Sequence, residues 1–205
     1  MPFELWLVDP NIALVHAWKK AFAAFPEITI LEGKFEEVEM FDCMVSAANS
    51  FGLMDGGVDL AISNFFGWDL QQQVQQRIIA EYWGEQPVGT SMIVETGHPN
   101  HPYIAHTPTM RVPMRISGTD QVYLAMKAML EAVERHNQHS GKATIQKVLC
   151  PGLGTATGRM PFEEAARQMA VAYEYFLRPP TYIDWRMAEK RQRTIKYGGM
   201  LGKKD

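Results

Sequence analysis

One stretch, residues 42 to 62, constrains the fold more than any other part of the chain. The apolar run that begins at Cys43 predicts a buried strand, which ends in two alanines and Asn49. A glycine pair, Gly56–Gly57, then precedes a predicted helix that carries Asp59 in its first turn. Because glycines leave backbone N–H groups accessible and a helix start attracts negative charge, this pattern favours an anion pocket after a strand.

Composition limits the classes of protein to which this chain can belong. Its 205 residues, 46% hydrophobic and 21% charged, suffice for one well-filled core. We expect a single domain over residues 1–180 and a basic tail over residues 181–205 that is helical and then frayed. The formal net charge of −3 gives no general attraction to nucleic acid or to an anionic membrane. Any anion site must therefore be local.

The two cysteines, Cys43 and Cys150, lie in apolar strand-like runs, which indicates reduced core thiols. The N-terminus has no signal-peptide pattern, and no apolar stretch is long enough to cross a bilayer. We therefore expect a soluble cytoplasmic protein.

Strands and helices are predicted to alternate, which favours an α/β sandwich built on one sheet. Further strands are predicted at residues 5–8, 28–31, 91–95, 103–107 and 145–150. Helices are predicted after Asn11 as far as Pro26, over residues 58–66, after a break at residues 67–69 as far as about Trp83, from Thr119 or Asp120 to near His136, and from Pro161 onward.

A second glycine-rich loop, residues 151–161, follows a predicted strand and precedes a predicted helix. Gly152, Gly154 and Gly158 would let the backbone approach a ligand, and successive amides in such a turn form a nest for phosphate oxygens. Alternatively, these glycines serve only a tight turn. In open α/β sheets ligands bind at the carboxyl ends of strands, where both loops should lie.

The first stretch resembles the signature of the macro domain, the ADP-ribose-binding module that reads roughly N-A-A-N-S, several residues, G-G-G-V-D, then A-I. Asn49–Ser50 and Gly56–Asp59 match it in type and spacing. The second loop is similar, more loosely, to the family's S-T-G-x-x-G loop around the diphosphate and distal ribose. The resemblance implies a three-layer α/β/α sandwich with a mixed central sheet.

The resemblance also implies a set of site residues. Asn49 would hydrogen-bond the distal ribose, and Asp59 would face the anomeric carbon and orient a water as an anion stabilised by the helix start. Alternatively, Asp59 is only a first-turn helix acid. The implied ligand-binding residues are Ala48, Gly56, Gly57, Val58, Gly152, Leu153, Gly154, Thr155, Ala156, Thr157 and Gly158.

Two positions depart from the family pattern. Ser46 replaces the first Asn of N-A-A-N, and Lys34 replaces the aspartate that accepts a hydrogen bond from the adenine amino group. Lysine has no acceptor. Asp9 or Asp42 could take over that role, and spacing selects neither. His106 matches a strand histidine of the family, and we expect it to be structural.

Two functions are consistent with these residues. The first is hydrolysis of an ADP-ribosyl bond, from a modified protein or from a small derivative such as ADP-ribose 1''-phosphate; the second is binding without turnover. The expected partners are ADP-ribose or a related nucleotide and ADP-ribosylated protein. We expect no cofactor and no metal, because His98 and His101 lack a third ligand at suitable spacing.

Overall fold

A computed structural model of the chain describes residues 3–139 and 144–195. Within them, six strands form one sheet. The strands are β1 (Glu4–Asp9), β2 (Thr29–Glu32), β3 (Cys43–Asn49), β4 (Met92–Glu95), β5 (Tyr103–Met110) and β6 (Lys147–Cys150).

The sheet has the order β2-β1-β6-β3-β5-β4. Its neighbouring strands are parallel except for β4, which pairs antiparallel with β5. Because helices cover both faces, consecutive residues of the inner strands are buried, as Met44 and Val45 of β3 show. The predicted sandwich with a mixed central sheet is confirmed.

Helices form the two outer layers. They are α1 (Ile12–Ala21), α2 (Gly57–Phe66), α3 (Asp69–Tyr82), α4 (Gln121–His139), α5 (Phe162–Leu177) and α6 (Trp185–Ile195), with a 3₁₀ turn at Phe35–Glu37. Side chains of α1, α4 and α5 pack on one face of the sheet, against Leu7 and Val45. Side chains of α2 and α3 pack on the other face, against Met44 and Ile104.

The first helix is shorter than the sequence predicts. Its apolar pattern extends to Phe25, but α1 ends at Ala21 and Phe22 is its C-cap. The next residues form turns closed by two hydrogen bonds, from Phe25 N to Phe22 O and from Ile28 N to Phe25 O. Phe22 and Phe25 still pack on Tyr173 of α5, so the apolar spacing reflects core contacts rather than a continued helix.

At the end of the described chain, Arg167 of α5 fixes α6. Its guanidinium donates to the carbonyls of Thr194 and Ile195 at 2.6 and 3.1 Å. These are the last two carbonyls of α6 within the described residues. The fraying predicted for the tail falls on residues 196–205, outside the described residues. No helix in the described part is both long and apolar enough to span a bilayer.

Candidate functional site

A cavity of about 450 Å³ opens at the carboxyl ends of β1, β3, β5 and β6. Parallel strands place these ends on one edge of the sheet, so the loops that follow them converge there. One wall comes from the end of β3 and the start of α2, another from the loop after β6, and the far end from residues 33–36 and Asp9. The volume lies in the range typical of small-molecule sites.

Asn49 holds the first wall together. Its Nδ2 donates to the carbonyl of Leu53 at 2.7 Å, and its Oδ1 accepts from the amides of Phe51 and Leu53 at 3.1 and 3.3 Å. The side chain therefore fixes the loop between β3 and α2. One N–H of the amide group remains for a ligand, since an amide nitrogen carries two hydrogens.

We expect Asn49→Ala to lower the free energy of unfolding by about 2 kcal/mol or more, because three hydrogen bonds of the loop are lost. It should also weaken ligand binding, since the loop positions the start of α2. Urea unfolding measures the first effect. Asn64→Ala, at an exposed position of α2, is the matched control and should stay within about 0.5 kcal/mol of the wild type. Equal stability of the two variants would contradict the conclusion that the Asn49 side chain fixes this loop.

The start of α2 presents backbone amides to the cavity. Gly56 is the N-cap and offers no side-chain cap, and Gly57 has a φ of 58°, a conformation that favours glycine. Within the described residues, the amides of Gly57, Val58 and Asp59 have no protein acceptor, as expected for the first turn of a helix. They form a site for negative charge.

The loop after β6 forms the opposite wall. The carbonyls of Gly154 and Gly158 accept from Met160 N and Ile116 N at 3.0 and 2.8 Å. A Cβ at Gly158 would lie 2.4 Å from the Gly154 oxygen, so the tight turn requires glycine there. Gly158 therefore serves the turn, whether or not the loop also binds a ligand. The amides of residues 155–158 donate to no acceptor in the described chain and border the cavity.

Side-chain charge does not favour an anion in this cavity. Among the described residues that line it, Lys34 alone is basic, whereas Asp9, Glu36, Asp55 and Asp59 are acidic. An anion would therefore be held by the two rows of amides, which carry partial positive charge and need no counter-ion.

Asp59 lies in the first turn of α2 and is only 5% exposed. Its Oδ1 accepts a hydrogen bond from the Ser46 hydroxyl at 2.7 Å, so Oδ2 is the oxygen available to a ligand or water. Burial raises the pKa of Asp59 from 3.8 to about 7, and the Ser46 bond opposes this shift. Burial thus outweighs the effect of the helix start, and Asp59 is a weaker acid than the fully anionic carboxylate that the sequence predicts.

His106 is fully buried on β5, next to Ser46 in the strand register. Its Nδ1 lies 2.6 Å from Gln86 Oε1, while Gln86 Nε2 donates to the His106 carbonyl. Since Gln86 Oε1 only accepts, Nδ1 carries the proton. Burial lowers the pKa of His106 to about 3, so the ring is neutral at neutral pH. These contacts agree with the structural role expected for it.

The structure brings nearly all the predicted site residues together. Leu153 is the exception, because its side chain is fully buried in the core beside α1, α4 and α5 and does not line the cavity. The residues that do line it are Ala48, Asn49, Gly56, Gly57, Val58, Asp59, Gly152, Gly154, Thr155, Ala156, Thr157 and Gly158.

Asp9 and Asp42, the two acids considered for the adenine amino group, lie at different places relative to the cavity. Asp9 ends β1, lines the cavity, and accepts from the amides of Asn11 and Gly152 at 2.9 and 3.2 Å. Asp42 precedes β3, at the opposite edge of the sheet, and its Oδ2 accepts from Gln146 N and Lys147 N at 2.8 Å each. Asp42 therefore cannot serve this cavity.

Sequence reasoning missed one side of the cavity. Thr109 and Met110 at the end of β5, with Pro113 beyond them, also line it. Thr109 Oγ1 donates to the Ala48 carbonyl at 3.3 Å and so ties β5 to the end of β3. No motif marks these residues, because their place depends on the pairing of β5 with β3.

His98 and His101 lie away from this cavity and stack on each other with ring centroids 4.7 Å apart. His101 also stacks on Phe41, and its Nδ1 is 3.0 Å from the Phe41 carbonyl. Among the described residues, no group of three His, Cys, Asp or Glu side chains is arranged to hold a metal ion. The pair is explained by packing.

Comparisons of sequence and structure identify relatives of this chain. The family model described as Macro domain matches residues 45–169. An uncharacterized protein from Aquifex aeolicus is 32% identical over 143 residues, which are 70% of this chain and 78% of the relative. A macro domain-containing protein from Listeria monocytogenes is 40% identical over 80 residues, 39% of this chain and 44% of the relative.

Solved structures share the fold. The macrodomain of Mycobacterium tuberculosis DarG has a TM-score of 0.57 at 18% identity, covering 69% of this chain and 86% of its own. The Oceanobacillus iheyensis macrodomain with ADP has a TM-score of 0.57 at 20% identity, and the match covers 80% of this chain and 86% of that macrodomain. A mutant of that macrodomain with ADPR has a TM-score of 0.57 at 19% identity, covering 80% and 88%. Since the family model spans more than half of this chain, the chain belongs to the macro domain family.

Proposed function

We propose that this protein binds ADP-ribose or an ADP-ribose derivative and hydrolyses an ADP-ribosyl bond. The observation that carries the proposal is the position of Asp59, a buried carboxylate at the cavity beside two rows of unpaired amides. The candidate substrates are ADP-ribosylated protein and small derivatives such as ADP-ribose 1''-phosphate.

The diphosphate would lie between the start of α2 and the loop at residues 155–158. Both walls offer amides without protein acceptors, and a diphosphate supplies charged oxygens to each. The distal ribose would then lie against Ala48 and Asn49, where the remaining N–H of Asn49 reaches a hydroxyl. This placement puts the anomeric carbon near Asp59.

In the proposed reaction, Asp59 Oδ2 accepts a proton from a water as the water oxygen bonds to the anomeric carbon. The bond from that carbon to the leaving group breaks, and the leaving group takes its electron pair. Such proton transfer by a positioned side chain typically contributes about 100-fold to 10,000-fold in rate. A pKa of about 7 matches this task, because the carboxylate is both populated and basic near neutral pH.

A second candidate function is binding without turnover, which a buried Asp59 also allows. A carboxyl whose pKa is raised to about 7 can hold a ribose hydroxyl in its protonated form without activating water. Release of ADP-ribose from a modified protein or from ADP-ribose 1''-phosphate decides between the two functions. A protein that binds both but releases neither is a binding module.

The far end of the cavity contains the hydrogen-bond acceptor Asp9 and the cation Lys34. We propose that Asp9 accepts a hydrogen bond from the adenine base. Its carboxylate already accepts two amides but retains lone pairs that a base amino group can use. Lys34 is exposed at the rim and lines the same end.

ADP-ribose should stabilise the protein against heat. At about 100 times its dissociation constant a ligand stabilises by about 2.7 kcal/mol, which raises the melting temperature of a chain of this size by roughly 5 to 10 °C. Differential scanning fluorimetry measures the shift. Adenosine at the same concentration is the control, because it lacks the diphosphate that the amides would bind. A larger shift with adenosine, or none with ADP-ribose, would contradict the proposed ligand.

A further inference from the structure

Ser46 is a buried hydroxyl in an otherwise apolar stretch of β3. The residues Cys43, Met44 and Val45 before it are buried, and Ser46 itself is fully inaccessible to solvent. A buried hydroxyl needs a hydrogen-bond partner, and that of Ser46 is Asp59 Oδ1 at 2.7 Å. The bond joins the central strand to the first turn of α2 at the cavity.

No charged neighbour provides this link instead. The titratable groups on the elements around Asp59 are Cys43 on β3, Asp55 before α2, Tyr103 and His106 on β5, Asp9, Lys34 and Glu36 across the cavity, and Asp69, Arg77, Glu81 and Tyr82 on α3. None of them is among the causes that shift the pKa of Asp59, which are burial and the Ser46 hydroxyl. His106 is neutral, because burial lowers its pKa to about 3.

We propose that Ser46 is a positioning residue for Asp59, whose hydroxyl fixes Oδ1, leaves Oδ2 for the reacting water, and stabilises the deprotonated carboxylate. The role of Ser46 in the reaction rests on the proposed hydrolysis. During that step the proton moves from water to Oδ2, while the Ser46 proton stays on its oxygen and donates to Oδ1 throughout. Ser46 therefore acts through Asp59 and does not touch the substrate.

The test is a direct titration of Asp59 by carboxyl ¹³C NMR, with its signal assigned by its loss in Asp59→Asn. Removing the hydroxyl in Ser46→Ala should raise the titration midpoint of Asp59 by about one pH unit, because a hydrogen bond to the charged form of the carboxyl is lost. In Ser46→Thr, which retains a hydroxyl, the midpoint should stay near that of the wild type.

Ser63→Ala is the matched control. Ser63 is equally buried and lies on α2, but its hydroxyl donates to the Met54 carbonyl at 2.9 Å and not to Asp59. It should lower stability as Ser46→Ala does without moving the Asp59 midpoint. If Ser46→Ala does not fold, Ser46→Cys replaces it, since a thiol is a weak donor and must also raise the midpoint.

An unchanged Asp59 midpoint in the folded alanine or cysteine variant overturns the proposal. A raised midpoint supports it, and the pH profile of hydrolysis should then shift by the same amount. The NMR titration needs no substrate, so its result is independent of turnover. Absence of hydrolysis at every pH would reject the proposed function, while the titration would still decide whether Ser46 controls Asp59.

Discussion

Asp59→Asn is expected to lower the rate of ADP-ribosyl hydrolysis by about 100-fold to 10,000-fold while leaving the affinity for ADP-ribose within a few-fold of the wild type. Asparagine retains an oxygen that accepts from Ser46 but cannot take a proton from water. The amides that would hold the diphosphate are unchanged by the substitution. Single-turnover release of ADP-ribose and calorimetric titration measure the two quantities separately.

The matched control for this experiment is Asp69→Asn. Asp69 is the first-turn acid of α3, exposed and outside the cavity, so its replacement removes a helix-start carboxylate with no other role. Both rates and affinities should match the wild type. A wild-type rate in Asp59→Asn would show that Asp59 is only a first-turn helix acid and would reject the proposed mechanism.

Asp59 should also make the stability of the fold depend on pH. Its pKa is raised from 3.8 to about 7 in the folded protein. The folded state therefore binds this proton more tightly than the unfolded state does. The resulting stabilisation is complete below about pH 4 and is lost as pH rises through about 7.

Asp59→Asn lacks this contribution, so the wild type should lose about 2 to 3 kcal/mol relative to the variant between about pH 5 and about pH 8. Urea unfolding of both proteins at the two pH values measures the difference. Asp69→Asn serves again as the control, since it retains Asp59 and should follow the wild type at both pH values. A constant difference between wild type and Asp59→Asn would mean that the pKa is not raised.

The central part of the site could be predicted from sequence because it is local. Asn49, the glycine pair and Asp59 lie within eleven consecutive residues, and their spacing sets a strand end, a loop and a helix start. The second loop could be predicted for the same reason. Leu153 shows the limit of this reasoning, since position in a loop does not tell whether a side chain points to the cavity or to the core.

The remaining features depend on contacts between distant segments. Asp9 ends β1 whereas Asp42 precedes β3, and these positions are at opposite ends of the sheet because the two strands run in the same direction. Thr109 enters the cavity through the pairing of β5 with β3. Ser46 appeared in the sequence only as a departure from the family pattern, whereas its bond to Asp59 depends on how α2 packs against β3.

The amides at the start of α2 and in the loop at residues 155–158 have a consequence for mutagenesis. Alanine scanning deletes side chains, and these amides belong to the main chain, so a scan of the non-glycine residues in the two loops would leave the proposed anion-binding groups in place. Informative variants must instead alter the backbone. At Gly158, any side chain would collide with the Gly154 carbonyl, so this position should be among the least tolerant in a saturation library selected for ligand binding.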